Sequence, residues 1–536
     1  MADNPQRHDW VERRLHGVCW RVRSDHQERI FAACGGGWRD AEVVRATPDR
    51  RVLRIEGPPV IWVKHFRHRT LRGWAKALLR KSPAAREWGA LQAVRRRGLP
   101  TPEPIGLGES GGIVKRESFL VTGELEGALP LDDLVRGKNR LTARQRWRLI
   151  AEVAALIRKA HDRGVYQRDL HLENFLVREG ASEFEVFLID LQRVIIGRLL
   201  GPGPRWENLA VLHGGCAAAS RTDRLRFLQA YLSSPFPFPS DVRRIAADIE
   251  RKGQGRRFRL WRSRQGRCVA ENREFAKVQA GDFSGFARRD LRNEGLGDWL
   301  ARPEQIFERP ELKIVKDSTT TTVGILACGE KSFYVKRYNR QTLGYAFKNL
   351  FRVSRGRRGW IVFNSLRMRD IPAPLPLAYV ERRRWRALFE SYLVAAAVPG
   401  ANLADIAKRF REGRISLKDK RALIEELARF VRRMHDRRVA HRDLKPQNII
   451  AEQTGAGSWR IWIVDADGIR LGPVSRRARA KNIGRVARSF LGHPAVVRTD
   501  GLRFLRAYLK AGERARWKEL WREVTRRISF GQGERV

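Results

Sequence analysis

The chain has 536 residues, 42% of them apolar and 31% charged, which excludes a disordered chain and predicts several domains. Lys and Arg number 108 against 59 Asp and Glu, a formal net charge of +49 that points to an anionic partner beyond any general bias toward arginine. No uncharged apolar run reaches the roughly 18 residues of a membrane span, there is no signal-peptide core, and the five cysteines form no CxxC pair, so the expectation is a cytoplasmic chain in a reducing compartment, without a zinc site.

Residues 1–60 alternate apolar and charged positions, as in CWRVR and RRVLRIEG, and predict short strands. VIWVK is a strand that closes on Lys64. A basic helix is predicted next, and then REWGALQAVRRRG (86–98) as a second helix. SFLVTGELEG (118–127) reads as a strand running into a hinge. RWRLIAEVAALIRKAHDRG (146–164) is a strongly amphipathic helix stopped by glycine. The loop QRDLHLEN and the strand FEVFLID follow, and Pro-rich SSPFPFPSD (233–241) ends the first module. Residues 242–310 include RRFRLWRSRQGR and FARRDLRNEG and read as a basic extension joined to the module that follows.

From there the chain repeats itself. AHDRGVYQRDLHLENFLV…FLID (160–190) matches MHDRRVAHRDLKPQNII…IWIVD (434–465). Lys64 corresponds to Lys336 and Trp88 to Trp360, both 272 residues on, and LPTP (99–102) to IPAP (371–374). The offset is 274 at the QRD and HRD loops and 277 where RTDRLRFLQAYL (221–232) matches RTDGLRFLRAYL (498–509). A drift this small, with order kept, is a tandem duplication with short loop insertions. The expected domains are 1–241, the extension 242–310 joined to the second small lobe, and 311–536.

Each copy holds an Asp, an Asn five residues later, and an Asp ending an apolar strand: Asp169, Asn174 and Asp190, then Asp443, Asn448 and Asp465. This is the spacing of the catalytic and metal loops in protein-kinase-like folds. The expected fold class is therefore α+β: two tandem protein-kinase-like domains, each with a small β-rich N-lobe and a mainly helical C-lobe. Phosphoryl transfer needs positioning and charge neutralisation more than covalent chemistry. Asp169 and Asp443 can each orient an acceptor hydroxyl and take its proton. Asn174, Asp190, Asn448 and Asp465 offer hard oxygen ligands for Mg²⁺. Lys64 and Lys336 would hold the phosphates of ATP.

The copies also differ. Glu87 opens the helix after Lys64 and can pair with it, whereas Gly359 stands in its place in the second copy. No Asp or Glu lies between Glu330 and Asp370, so Lys336 is expected to lack a local carboxylate partner, unless Glu294 or Asp298 supplies one. HRDLKPQN carries Lys445, which can stabilise a transferring phosphate, where the first copy has His171. Neither copy has Asp-Phe-Gly or GxGxxG. KDSTTTTVG (316–324) could cover phosphates or be an ordinary polar turn. His161 and His435 hold matching places, and a structural role is expected for both.

QRDLHLENFLV with FLIDLQRV resembles the lipopolysaccharide kinases, which phosphorylate heptose or Kdo sugars of the inner core, lack Asp-Phe-Gly and carry Ile-Asp-Leu-x-Arg at the metal loop. RLRFLQAYL also looks like their C-terminal lobe. The resemblance implies an ATP- and Mg²⁺-dependent kinase acting on sugar hydroxyls of lipopolysaccharide or another anionic glycolipid. The tandem arrangement and Gly359 depart from that family's pattern. A Ser/Thr protein kinase, and one active module beside a silent pseudokinase or scaffold, stand as alternatives. No nucleic-acid module is recognisable. Leu71, Trp74, Ala75, Leu78 and Leu79, and again Leu343, Ala346, Phe347, Leu350 and Phe351, form apolar stripes beside basic residues. Such helices either pack on a core or rest on an acidic membrane surface. The expected location is peripheral, on the inner face of the cytoplasmic membrane.

Overall fold

The computed structural model describes residues 9–67, 81–111, 116–137, 141–180, 183–197, 200–216, 219–233, 240–294, 302–339, 353–384, 387–509 and 511–529. The chain divides into two compact units, Met1–Arg259 and Leu260–Val536.

The first unit begins with seven strands: β1 (Trp10–Leu15), β2 (Val18–Arg23), β3 (Glu42–Thr47), β4 (Arg50–Ile55), β5 (Ile61–Arg67), β6 (Pro104–Ser110) and β7 (Glu117–Gly123). They form one sheet in the order β1-β2-β6-β7-β5-β4-β3. Every pairing is antiparallel, and Lys64 on β5 sits opposite Val52 on β4 and Leu120 on β7. Alternation drives the burial: Ile61 and Val63 point into a sheet core with Trp20, Val22 and Val121, which leaves Lys64 on the other face. The helix Pro83–Arg96 covers that face, with Ser82 accepting from the Ala85 amide as its N-cap. Trp88 anchors the helix edge-on to Trp10, with centroids 5.2 Å apart.

The remainder of the unit is mainly helical. Short strands β8 (Leu129–Pro130), β9 (Val165–Gln167), β10 (Phe175–Glu179), β11 (Phe184–Leu188) and β12 (Val194–Ile196) carry the loops. Helix Ala143–Asp162, opened by a Thr142/Gln145 capping box, runs through the centre. Its apolar face packs with helices Pro202–Gly215 and Arg221–Leu232 and with the buried start of Ser240–Arg264.

The second unit repeats this plan. Its strands are β13 (Phe275–Ala280), β14 (Phe283–Arg288), β15 (Leu312–Ser318), β16 (Thr321–Cys328), β17 (Lys331–Tyr338), β18 (Pro376–Arg384) and β19 (Ala387–Ala396). They pair in the order β13-β14-β18-β19-β17-β16-β15, the first sheet strand for strand. Residues 242–310 therefore hold the helix Ser240–Arg264 and the first two strands of this sheet. Trp360, on helix Arg355–Met368, repeats the Trp88 contact against Phe275 at 5.4 Å. Strands β20 (Ala401–Asn402), β21 (Val439–His441), β22 (Ile449–Gly455), β23 (Ser458–Ile463) and β24 (Ile469–Leu471) and the helices Leu417–Asp436, Arg476–Arg488 and Arg498–Tyr508 complete the second lobe.

The motifs shared by both copies have structural causes. In the proline turns, Pro100 accepts from the Leu188 amide and Pro372 from the Ile463 amide. In the RTD segments, Asp223 caps its helix and takes two hydrogen bonds from Arg146, which together hold its carboxyl down to about 2. Asp500 accepts from the Val497 amide and pairs with Lys420 at 2.6 Å. The predicted basic stripes at 71–79 and 343–351 lie outside the described residues, as do Asp298 and the side chain of Glu294.

Candidate active site

In the first unit the β5 and helix registers bring Lys64 to Glu87, and the two form an ion pair. Glu87 is 1% exposed. A buried carboxylate is costly unless paired, so this contact fixes the helix to the sheet. Asp169 follows β9 in a turn held by Asn174, whose side-chain amide donates to the Asp169 carbonyl at 2.6 Å. That leaves the Asn174 amide oxygen for a cation. The Asp169 carboxylate meets Arg193 at 2.5 Å and Arg256 at 3.8 Å. Asp190 adopts a left-handed backbone, φ 58° and ψ 60°, tied down by Gln167, which donates to its carbonyl at 3.0 Å. Arg50, at the start of β4, reaches the Asp190 carboxylate at 3.4 Å.

In the second unit Asn448 donates to the Asp443 carbonyl at 2.9 Å, repeating the Asn174 contact. Lys445 meets the Asp443 carboxylate at 2.9 Å. His441 takes the place of Gln167: its Nε2 bonds the Asp465 carbonyl at 3.0 Å, and its Nδ1 accepts from the Asp443 amide. Asp465 is not among the residues with positive φ.

Lys336 departs from the expectation that it lacks a carboxylate. Its ammonium lies 3.1 Å from Asp465 and 2.9 Å from Asp467. Sequence-local reasoning failed because the partner comes from the loop after β23, 131 residues on. Asp467 also accepts from the Tyr338 hydroxyl at 3.1 Å and from Arg355 at 2.7 Å. Burial opposes the charge on Lys336, but Tyr338, Asp467 and Asp465 outweigh it and hold the ammonium above its ordinary value. Burial also opposes the charge on Asp467, yet Lys336 and Arg355 hold that carboxyl below the usual range. A Cβ at Gly359 would lie 2.7 Å from Leu393 Cδ2, so any side chain in the place of Glu87 would require Leu393 to shift.

The KDSTTTTVG segment forms the β15–β16 hairpin. Ser318 donates to the Thr321 carbonyl at 2.8 Å and Thr322 to Asp317 at 2.7 Å within the hairpin, and Thr322 also contacts Asn339 at 3.1 Å. His161 and His435 are buried structural groups. Each bonds a tyrosine and an asparagine: Tyr231 and Asn208 for the first, Tyr508 and Asn482 for the second, at 2.8–3.0 Å. Burial pushes the His161 imidazole down and takes His435 to about 4. The asparagines also donate to the carbonyls of Gln167 and His441, so each triad braces the strand before the Asp loop.

Sequence reasoning did not single out Asp467, Tyr338, Arg50, Arg193 or Arg256. A systematic comparison of the copies would have flagged Asp467, since the matching residue is Gln192. No comparable signal marked Arg256, which lies on the helix Ser240–Arg264 outside the repeat.

The donors fit a magnesium nucleotide. Mg²⁺ takes one or two protein carboxylates and completes its shell with phosphates and water, so an Asn/Asp pair per unit is a sufficient protein set. Among the described residues there is no cluster of three or more His, Cys, Asp or Glu of the kind that forms a closed metal cage. Nor is any described helix long and apolar enough to cross a membrane.

No curated protein sequence matches the chain. Among solved structures, WaaP in complex with acyl carrier protein is 25% identical, covering 43% of this chain and 95% of that one with a TM-score of 0.34. Two double-mutant forms of the PknI kinase domain of Mycobacterium tuberculosis are 14% and 13% identical, each covering 40% of this chain and 96% of theirs, with TM-scores of 0.25. The sequence pattern of the lipopolysaccharide kinase (Kdo/WaaP) family matches twice, over residues 39–231 and 298–508, and so spans both lysine strands and both Asp loops. The chain is a kinase with two tandem protein-kinase-like units, and it belongs to the lipopolysaccharide kinase (Kdo/WaaP) family.

Proposed function

We propose that this kinase transfers the γ-phosphoryl group of ATP to a heptose or Kdo hydroxyl of the lipopolysaccharide inner core, and that the first unit is the principal catalyst. The observation that carries the division is the buried Lys64–Glu87 pair, a preset phosphate clamp of a kind the second unit builds differently. In this reading Lys64 holds the nucleotide phosphates, and Asn174 and Asp190 hold Mg²⁺, which supplies charge neutralisation between the phosphates. Asp169 orients the sugar hydroxyl and accepts its proton as the oxygen attacks phosphorus. Arg193 and Arg256 face that carboxylate and add positive charge where the anionic acceptor arrives. Asp443, Asn448, Asp465 and Lys336 have the same roles in the second unit, where Lys445 would in addition stabilise the transferring phosphate. The net charge of +49 supports binding at an acidic inner-membrane surface.

The test is a competition. The full chain is given labelled ATP and Mg²⁺ with lipopolysaccharide, a mixed protein substrate and free sugars together. Label should enter lipopolysaccharide. Label in protein alone would replace this reading with that of a Ser/Thr kinase.

A further inference from the structure

Four positions change together between the two units. Phe66 becomes Tyr338, Pro83 becomes Arg355, Glu87 becomes Gly359 and Gln192 becomes Asp467. Three of the four changes converge on one point: the gained Asp467 carboxylate contacts the gained Tyr338 and Arg355, and also Lys336, within 3.1 Å. The fourth change removes the helix carboxylate. Leu393 lies against the vacated position, and Ala466 lies within 3.7 Å of it.

From this exchange we infer that Asp467 is the positioning residue for Lys336, doing from the metal loop what Glu87 does from a helix. The inference rests on the reading of Lys336 as a nucleotide-phosphate lysine. The physical demand is the same in both units. A partly buried ammonium is stabilised by a partner, and its direction of approach to a phosphate depends on where that partner sits. Asp467 is fitted for this and Asp465 is not. Asp465 faces Lys336 through one oxygen and is the residue a cation would engage. Asp467 is held from three sides and stays with the lysine when Asp465 turns to a metal. Tyr338 and Arg355 take two further acceptor sites of Asp467 and stack, with the Arg355 guanidinium 4.6 Å from the Tyr338 ring centroid. This fixes the carboxylate and leaves the lysine as the mobile partner.

A consequence separates the units. In the first, the lysine is set before any metal loop contact, by a helix and a sheet. In the second, lysine position and metal loop position are one variable, because Asp465 and Asp467 share a turn in which the Asp467 amide meets Asp465 Oδ1 at 3.3 Å. Nucleotide binding by the second unit should therefore be more sensitive to Mg²⁺.

The test uses the full chain with Lys64→Ala and Asp190→Asn, so that only the second unit retains its nucleotide groups. Binding of trinitrophenyl-ATP is followed with and without Mg²⁺. Losing one charge-assisted contact to a buried lysine corresponds to about tenfold or more in Kd, and Asp467→Asn should show it. Asp467→Glu should recover most of that loss, and Tyr338→Phe should cost less than Asp467→Asn. Thermal melts of each variant separate loss of the site from loss of the fold. Equal binding by Asp467→Asn and its parent would overturn the inference, as would an absence of Mg²⁺-nucleotide binding by the parent. Equal losses in the Glu and Asn variants would mean that Asp467 only supports the fold. No acceptor is used, so failure here is distinct from failure to phosphorylate lipopolysaccharide.

Discussion

In the first unit Lys64 is tied to Glu87 on the covering helix; in the second, Lys336 is tied to Asp465 and Asp467 on the loop after β23. The two lysines occupy the same register in equivalent sheets, opposite Val52 and Val323. What duplication preserved is a paired lysine on that strand, and the carboxylate that supplies the charge was free to move. Burial explains why. A partly buried lysine loses stability without a carboxylate beside it, so the carboxylate missing at position 359 is matched from elsewhere in the fold. The Asp loops diverged less. Asn174 and Asn448 make the same turn-closing bond, but the neighbours of Asp169 are Arg193 and Arg256 whereas Asp443 has Lys445.

The comparison predicts unequal catalysts. Removing a catalytic base typically costs about 10²–10⁴-fold, so Asp169→Asn should abolish most lipopolysaccharide phosphorylation while Asp443→Asn leaves a substantial fraction. Both variants are to be assayed on one acceptor, and the reverse result would invert the assignment. Next in size is Asp190→Asn. Loss of the charged oxygen should cost the first unit on the order of 100-fold in Mg²⁺-dependent turnover with unchanged melting. A near-native rate would show that the ion is held elsewhere.

Acid should weaken the second unit through His435. Its folded pKa, about 4, lies below the ordinary 6.5, so its contribution is full above pH 6.5 and is lost as pH falls toward 4. The shift amounts to about 3 kcal/mol. His435→Gln should flatten that part of the Tm-against-pH curve, and an unchanged curve would mean another group controls acid unfolding. His161 is shifted in the same direction in the first unit.

Two smaller effects sharpen the comparison. Acidic vesicles should bind the chain at roughly 1 kcal/mol per basic residue near the surface. Neutralising Arg72, Lys76 and Arg80 should thus cost more than neutralising Lys348 and Arg352. High salt should release the protein, and retention until detergent is added would contradict an electrostatic mode. The last is local. The turn after the long helix uses Gly164 at φ 71° in the first unit and Arg438 at φ 59° in the second. Gly164→Ala should cost about 1 kcal/mol in the melt of the first unit, because a side chain disfavours left-handed backbone. Arg438→Gly should be neutral or stabilising.

The sequence alone determined a great deal here, because the kinase-like pattern is written in short-range spacing. An Asp, an Asn five residues on and an Asp ending an apolar strand are fixed by one turn and one hairpin. Their occurrence twice in the same order established the duplication. The Lys64–Glu87 pair was legible because the two residues are only 23 apart in the chain. The two histidines were read correctly as structural, although their partners Asn208, Tyr231, Asn482 and Tyr508 come from later helices and were not named. Other contacts could be decided only by tertiary structure. Arg50 meets Asp190 across 140 residues and Lys336 meets Asp467 across 131, while Arg256 reaches Asp169 from a helix outside the repeat. Such pairs are set by which loop the folded sheet and helices bring near a buried charge. Local periodicity carries no record of that. The lack of a nearby acidic residue led to the expectation that Lys336 goes unpaired unless Glu294 or Asp298 reaches it, and only the closed fold showed that its partners are Asp465 and Asp467.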